Sequence, residues 1–257
     1  MMDLATTNNA QNWTLQERET REHLAAVYQI FGYLGMDDLI YTHISARVPG
    51  EDDRFLINPF GLMYEEITAS NLVKINLQGE IVEDSEYSVN YAGFIIHGAV
   101  HELADDAHCV IHLHTDAGVA VSCQKDGLLE ISQHELFANN GVAYHEYEGL
   151  AFNDEEKPRL VADLGQAKMM LLRNHGTLTV GTTVAEAFFH MYNLERACRI
   201  QVLAQAAGNA ELKPIPKEIV RHTRSQKPEG ARLTGYGEME LAAWMRKLDR
   251  LGLNFRT

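Results

Sequence analysis

The sequence predicts an α/β fold in which a mainly antiparallel or mixed sheet is flanked by helices. Three observations carry this. Amphipathic stretches of helical period are interspersed with short runs of period two. Several of those short runs are neighbours separated only by turn residues, which is how antiparallel strands are joined. A 257-residue chain with 46% hydrophobic content can also bury a full core without disulfides. A purely doubly wound sheet would alternate strand and helix throughout, and this order does not.

The elements follow in chain order. Thr14-Leu15-Gln16-Glu17 has the Thr-x-x-Glu form of a capping box, and Leu24, Val27, Tyr28, Phe31 and Leu34 recur at helical spacing up to Gly35. An amphipathic helix is expected there. Residues 40–48 alternate, with Ile40, Thr42, Ile44, Ala46 and Val48 on one face and Tyr41, His43, Ser45 and Arg47 on the other. The polar face suits a pocket wall or the solvated side of a sheet. Strand-like runs follow at 54–58, 72–77 and 80–83, the last two joined as a hairpin at Gln78-Gly79, and Pro59-Phe60-Gly61 marks a turn.

Residues 91–103 read as a helix with Phe94, Ile95, Gly98 and Val100 available for packing and Ser88 as its cap. The next strand is Cys109-Val110-Ile111-His112-Leu113-His114-Thr115, after which Thr115-Asp116 caps a short helix over 117–123. Strands over 142–147 and 168–172 bracket a helix at 158–164. Thr183-Val184-Ala185-Glu186 is a second capping box, opening a long helix through Phe188, Met191, Leu194, Cys198 and Val202 that stops near Gly208. Residues 213–230, with three prolines, are expected to be an irregular arm, and 238–251 a last helix using Leu241, Trp244, Met245 and Leu248. Residues 1–212 are read as one domain, with 213–257 packing on it as arm and helix.

Composition narrows the function. A net charge of −14 works against nucleic-acid binding, which needs clustered Lys and Arg to neutralise phosphates. The opening MMDLATTNNAQNW has neither a basic nor an apolar leader region, and no stretch approaches the roughly 18 apolar residues of a membrane span. The expectation is a cytoplasmic protein with no membrane partner. Cys109, Cys123 and Cys198 are odd in number and set in apolar sequence, as buried thiols in a reducing compartment would be.

The histidines carry the chemistry. Residues two apart on a strand project to one side, so His112 and His114 stand together while Ile111 and Leu113 face the core. A His-x-His pair alone fits packing or surface polarity better than ligation. Arg173-Asn174-His175-Gly176 closes another apolar strand and offers a third imidazole beside a glycine that can turn sharply. Three neutral imidazoles would leave a cation with open positions, the pattern of a catalytic site. A cupin-type site would want a Glu soon after His114, and 115–120 contains none. An amidohydrolase barrel would carry its His-x-His on the first strand.

The ordered segments Ile57-Asn58-Pro59-Phe60-Gly61-Leu62, 67–79, Ser88-Val89-Asn90 with Phe94 and His97, 109–118, Tyr147-Glu148-Gly149 and Arg173-Asn174-His175-Gly176 resemble the class II aldolase and adducin head-domain family, with an echo at Lys247-Leu248-Asp249-Arg250. The resemblance implies a three-layer α/β/α fold with a mainly antiparallel central sheet and a homo-oligomer, often tetrameric, acting on a small-molecule substrate. It implies one divalent metal ion on His112, His114 and His175, zinc first with iron, manganese or cobalt as alternatives, stabilising an enediolate. His43, Gly61 and Ser88 become substrate-binding candidates.

Two departures from the family pattern matter. Asn90 stands where the resemblance expects a catalytic Glu, and an amide cannot shuttle that proton. Thr42-His43-Ile44-Ser45 replaces a Gly-Asn-x-Ser phosphate loop, and Val89 replaces a phosphate-contacting serine, so a phosphorylated sugar is disfavoured. These features resemble the adducin-like branch. Asn90, His134 and Tyr236 are then the candidate catalytic residues, His134 lying where a family tyrosine from a neighbouring subunit acts, and Glu135 is a further candidate. The expectation is a metal-dependent lyase on a small non-phosphorylated oxo or hydroxy acid, with a non-haem iron oxygenase or a non-catalytic interaction module as alternatives.

Overall fold

The computed structural model describes residues 13–104, 106–137, 141–149, 154–208, 211–227 and 229–257, so the opening stretch 1–12 lies outside the described residues. The strands are β1 (His43–Arg47), β2 (Arg54–Ile57), β3 (Val73–Asn76), β4 (Cys109–Leu113), β5 (Val142–His145), β6 (Met169–Leu172) and β7 (Gly176–Gly181). They form one seven-stranded sheet in the order β3-β2-β1-β4-β7-β6-β5. All neighbours pair antiparallel except β5 and β6, so the sheet is mixed and mainly antiparallel.

Helices cover both faces, giving three layers. α1 (Leu15–Tyr33), α3 (Asp116–Ser122), α5 (Val184–Gln205) and α8 (Glu238–Leu251) lie on one side, and α2 (Tyr91–Leu103) and α4 (Lys157–Leu164) on the other. The period of two in β4 sorts its side chains between these layers. Cys109, Ile111 and Leu113 enter the core with α1 and α5, while Val110 joins Ile96, Val100 and Leu178 under α2 and α4. His112 therefore shares the α2/α4 face.

The helix starts form as their sequences dictate. Thr14 and Thr183 each accept a hydrogen bond from the amide three residues on. Glu17 does not complete its box, because its carboxylate is spent on Arg21 at 3.0 Å and on Lys74 inside the fold.

Three expectations about these elements are corrected. β1 begins at His43 rather than at 40, since Leu39 and Thr42 take positive φ of 53° and 67° and bend the chain just before it. The strand expected at 80–83 shrinks to a single bridge between Ile75 and Ile81. The Asn76 side chain closes that turn on the amides of Gln78 and Glu80, and Ile81 and Val82 stay exposed, so a longer strand would bury nothing. Ser88 is not the cap of α2. Asn90 holds that position with no side-chain bond, and the Ser88 carbonyl accepts from Phe60 N–H.

The 213–230 arm contains α6 (Lys217–Arg224), and α7 (Glu229–Leu233) begins at its end. Pro216 sits at the N-cap, where a proline starts a helix instead of breaking it. Val220 is buried, and Arg224 bonds Glu130 and Glu135. Leu241, Leu248 and Phe255 complete the α1 core. The expectation of buried thiols holds for Cys109 and Cys198, while Cys123 is exposed at the end of α3. Among the described residues no helix is long and apolar enough to cross a membrane.

Candidate metal centre

Two chain segments meet at one end of the sheet. β4 brings His112 and His114, and the β6–β7 turn, paired alongside β4, brings His175. Asn174 adopts a left-handed φ of 57° to make that turn. A Cβ on Gly176 would stand 2.3 Å from the Leu113 carbonyl oxygen, so only glycine lets the turn close against β4. The three rings end 4.6, 4.7 and 4.8 Å apart between centroids. One nitrogen from each lies within 4.8 Å of the others, and this is the one such group of potential ligands among the described residues.

The outer hydrogen bonds settle which nitrogens face the centre. His112 Nδ1 lies 2.9 Å from the Thr177 carbonyl, which can only accept, so Nδ1 carries the hydrogen. His114 Nδ1 lies 3.1 Å from Asp38 Oδ2 and donates likewise. As neutral rings, the form that ligates, the two would present their Nε2 lone pairs to one point, with the atoms 2.8 Å apart. Two facing acceptors repel unless a cation lies between them. Burial, then the imidazoles of His175 and His114, pushes His112 well below the usual imidazole range, and burial takes His175 down to about 4. His112 and His175 are thus held neutral, the state that ligates. Asp38 and the Thr177 carbonyl have the character of groups that orient ligands from outside.

The other candidates fall in different places. His43 is opposite His112 in the β1–β4 register and points to the same face, 3% exposed. Burial and His114 lower its pKa to about 4. Gly61, exposed with φ of 101°, adjoins Phe60, whose amide ties the turn to Ser88. Asn90 caps the end of α2 nearer the centre, because the far end of α2 carries His101, bonded to the Ala107 carbonyl ahead of β4. His134 and Tyr236 lie in the α5 layer. Partial burial, then Arg196 of α5, lowers the His134 pKa, and Tyr236 packs on Phe189 and His190. Within one protomer both are on the opposite face from the triad.

Sequence reasoning missed two groups. Asp38 follows α1 and carries no signal of a partner 76 residues on. Glu195 of α5 is 5% exposed and takes hydrogen bonds from Thr115 and, at 2.6 Å, from Thr177. It links the segment holding His112 and His114 to the segment holding His175 from beneath. Its signal was available: a carboxylate on the apolar stripe between Leu194 and Cys198. A large cleft of about 810 Å³ lies at the opposite end of β4, beside Arg47, His108 and Glu238, away from the histidines.

Residues 22–202 match the Class II Aldolase and Adducin N-terminal domain family. The chain is similar to mouse alpha-adducin, 45% identical over 248 residues, covering 92% of this chain and 34% of the adducin. Among solved structures it is similar to an aldolase II superfamily protein from Pseudomonas syringae, with a TM-score of 0.88 and 48% identity over 96% of this chain and 98% of the other. It also resembles L-fuculose 1-phosphate aldolase from Glaciozyma antarctica PI12, with a TM-score of 0.82 and 28% identity over 94% and 93% of the two chains.

Proposed function

The chain belongs to the class II aldolase and adducin N-terminal domain family, and on that premise we propose that it is a metal-dependent lyase. Its substrate in this reading is a small, non-phosphorylated oxo or hydroxy acid, cleaved or decarboxylated through an enolate. The observation that carries the proposal is the convergence of the Nε2 atoms of His112 and His114, held face to face by Thr177 and Asp38 with His175 beside them. Three neutral imidazoles fit zinc, and iron, manganese or cobalt suit the same donors. When bound, the ion supplies a Lewis acid for the negative charge that develops on a substrate carbonyl oxygen.

The remaining work belongs to the chain. Asp38 and Thr177 keep His112 and His114 aimed inward. Ser45 supports the non-phosphorylated assignment. Where the sugar-phosphate pattern has a phosphate-binding serine, its hydroxyl is fully buried and lies 2.7 Å from both His97 and His101. Asn90 can orient a ligand but cannot exchange protons with it. His134 and Tyr236 face away from their own triad, so acid–base work by either is proposed for a neighbouring copy in a homo-oligomer, a tetramer in this reading. A cytoplasmic location is part of the same proposal, resting on three free thiols.

Elemental analysis of the purified protein, paired with His112→Ala, tests the metal. About one divalent ion per chain is expected, and its loss in the variant. Deuterium exchange of the methyl protons of pyruvate by the zinc-loaded protein tests the enolate, and no exchange above the metal-free rate argues against a lyase. Oxygen uptake that needs substrate and iron, and fails with zinc, would identify an oxygenase on the same triad. The 45% identity to alpha-adducin favours a second reading, a binding module without turnover. A protein that takes up no metal would make that reading the leading one.

A further inference from the structure

Beside the triad runs a buried chain of hydrogen bonds that the metal reading does not use. His97 and His101 sit one turn apart on α2 and face Ser45 of β1, and all three are 2% exposed or less. His101 Nδ1 lies 2.8 Å from the Ala107 carbonyl, which can only accept. His101 Nδ1 therefore bears the hydrogen, and with the ring neutral its Nε2 must accept. Its neighbour is the Ser45 hydroxyl at 2.7 Å, which donates to it. A hydroxyl has one hydrogen. Ser45 Oγ can therefore only accept from His97 Nδ1, also at 2.7 Å.

The three links leave His97 in one tautomer, with a bare Nε2. That atom is buried and has no partner among the described residues, and the same is true of His43 Nε2. The His43 and His97 rings are perpendicular with centroids 6.1 Å apart, and His43 stands opposite His112 in the sheet. A buried acceptor without a donor is costly, and structures keep few of them. Here one such acceptor, His97 Nε2, ends the chain beside a second unpartnered ring nitrogen, His43 Nε2, on the triad's face of the sheet. Groups of this kind await a donor hydrogen.

We infer that His97 Nε2 is the fixed acceptor for a hydroxyl of the ligand bound at the His112–His114–His175 centre, with Ser45 and His101 as positioning residues. This rests on the metal-dependent reading above and sharpens its substrate to a compound with a hydroxyl near the group that meets the ion. A plain oxo acid without that hydroxyl is the poorer ligand. His97 contributes specificity, since an acceptor that can neither rotate nor change tautomer rewards a donor and leaves an analogue lacking it unsatisfied.

The test compares glycolate with acetate, which differ by one hydroxyl, in calorimetric titrations of the zinc-loaded full chain. Wild type, Ser45→Ala and His97→Phe are measured, with zinc content and far-ultraviolet circular dichroism recorded for each. Wild type is expected to prefer glycolate. Both variants are expected to keep zinc and lose about tenfold of that preference, the size of one well-made hydrogen bond. Ser45→Ala removes a single oxygen, so it reports even if His97→Phe does not fold. An unchanged preference in zinc-loaded Ser45→Ala, or no preference in wild type, overturns the inference while leaving the metal reading intact. Wild-type protein that takes up no zinc overturns both.

Discussion

Asp38 is about half exposed and binds no ion in the proposed site, yet its carboxylate holds the His114 ring at 3.1 Å. Groups of this type are worth about 10–100-fold in metal affinity when removed. Asp38→Ala should weaken zinc binding within that range with little change in unfolding midpoint, as read by competition against a chromogenic chelator. Glu195 has the opposite character, buried and central. Burial pushes its carboxyl up from 4.5 to about 7, against the hydrogen bonds of Thr115 and Thr177 that lower it. The folded chain then holds a proton that the unfolded chain releases. Glu195 thus stabilises fully below about pH 4.5, and that contribution drains away as pH rises toward about 7. Urea midpoints of wild type should fall across this window relative to Glu195→Gln, and parallel profiles would sink the assignment.

Elements show where local pattern suffices. The capping threonines, the apolar stripes of α1, α5 and α8, and the alternation of β4 were legible because each depends on residues within a turn or two. The arm at 213–230 misled for a physical reason. Its prolines and charges read as irregular, but Pro216 opens α6, and a charge, Arg224, fastens the helix to the Glu135–Phe137 turn. Glu135 is 3% exposed, and burial raises its pKa despite Arg224. Arg224→Ala would leave that carboxyl unpaired and should cost about 2–4 kcal/mol in urea unfolding, with Glu135→Leu in the same chain restoring much of it. If the single variant is as stable as wild type, α6 is not held by this pair.

The molecule divides its labour between the faces of one sheet. The α1/α5 face is largely apolar, whereas the α2/α4 face carries the triad, His43 and the His97–Ser45–His101 chain. Ligation at such a site is linked to folding, because separate segments come together only in the native state. Zinc at about a hundred times its Kd should stabilise by about 2.7 kcal/mol, which raises Tm by roughly 5–10 °C for a chain of this size. Calorimetric scans with and without zinc check this. The rise should vanish in His112→Ala, and a rise that persists there would place the ion elsewhere.

By itself the sequence determined most of the helices and strands, the likeness to the class II aldolase and adducin family, and the three histidines as potential ligands. These rest on spacings of two to four residues or on ordered motifs, and both are written along the chain. Only the tertiary structure decided that His43 faces His112 across a strand pair, that Asp38 orients His114 from 76 residues away, and that Ser45 closes a chain between two histidines instead of meeting phosphate. Strand register and helix docking set those meetings. A hydrogen bond between distant residues leaves no period in the sequence, and the tautomer it imposes exists only once the fold has brought its partners together.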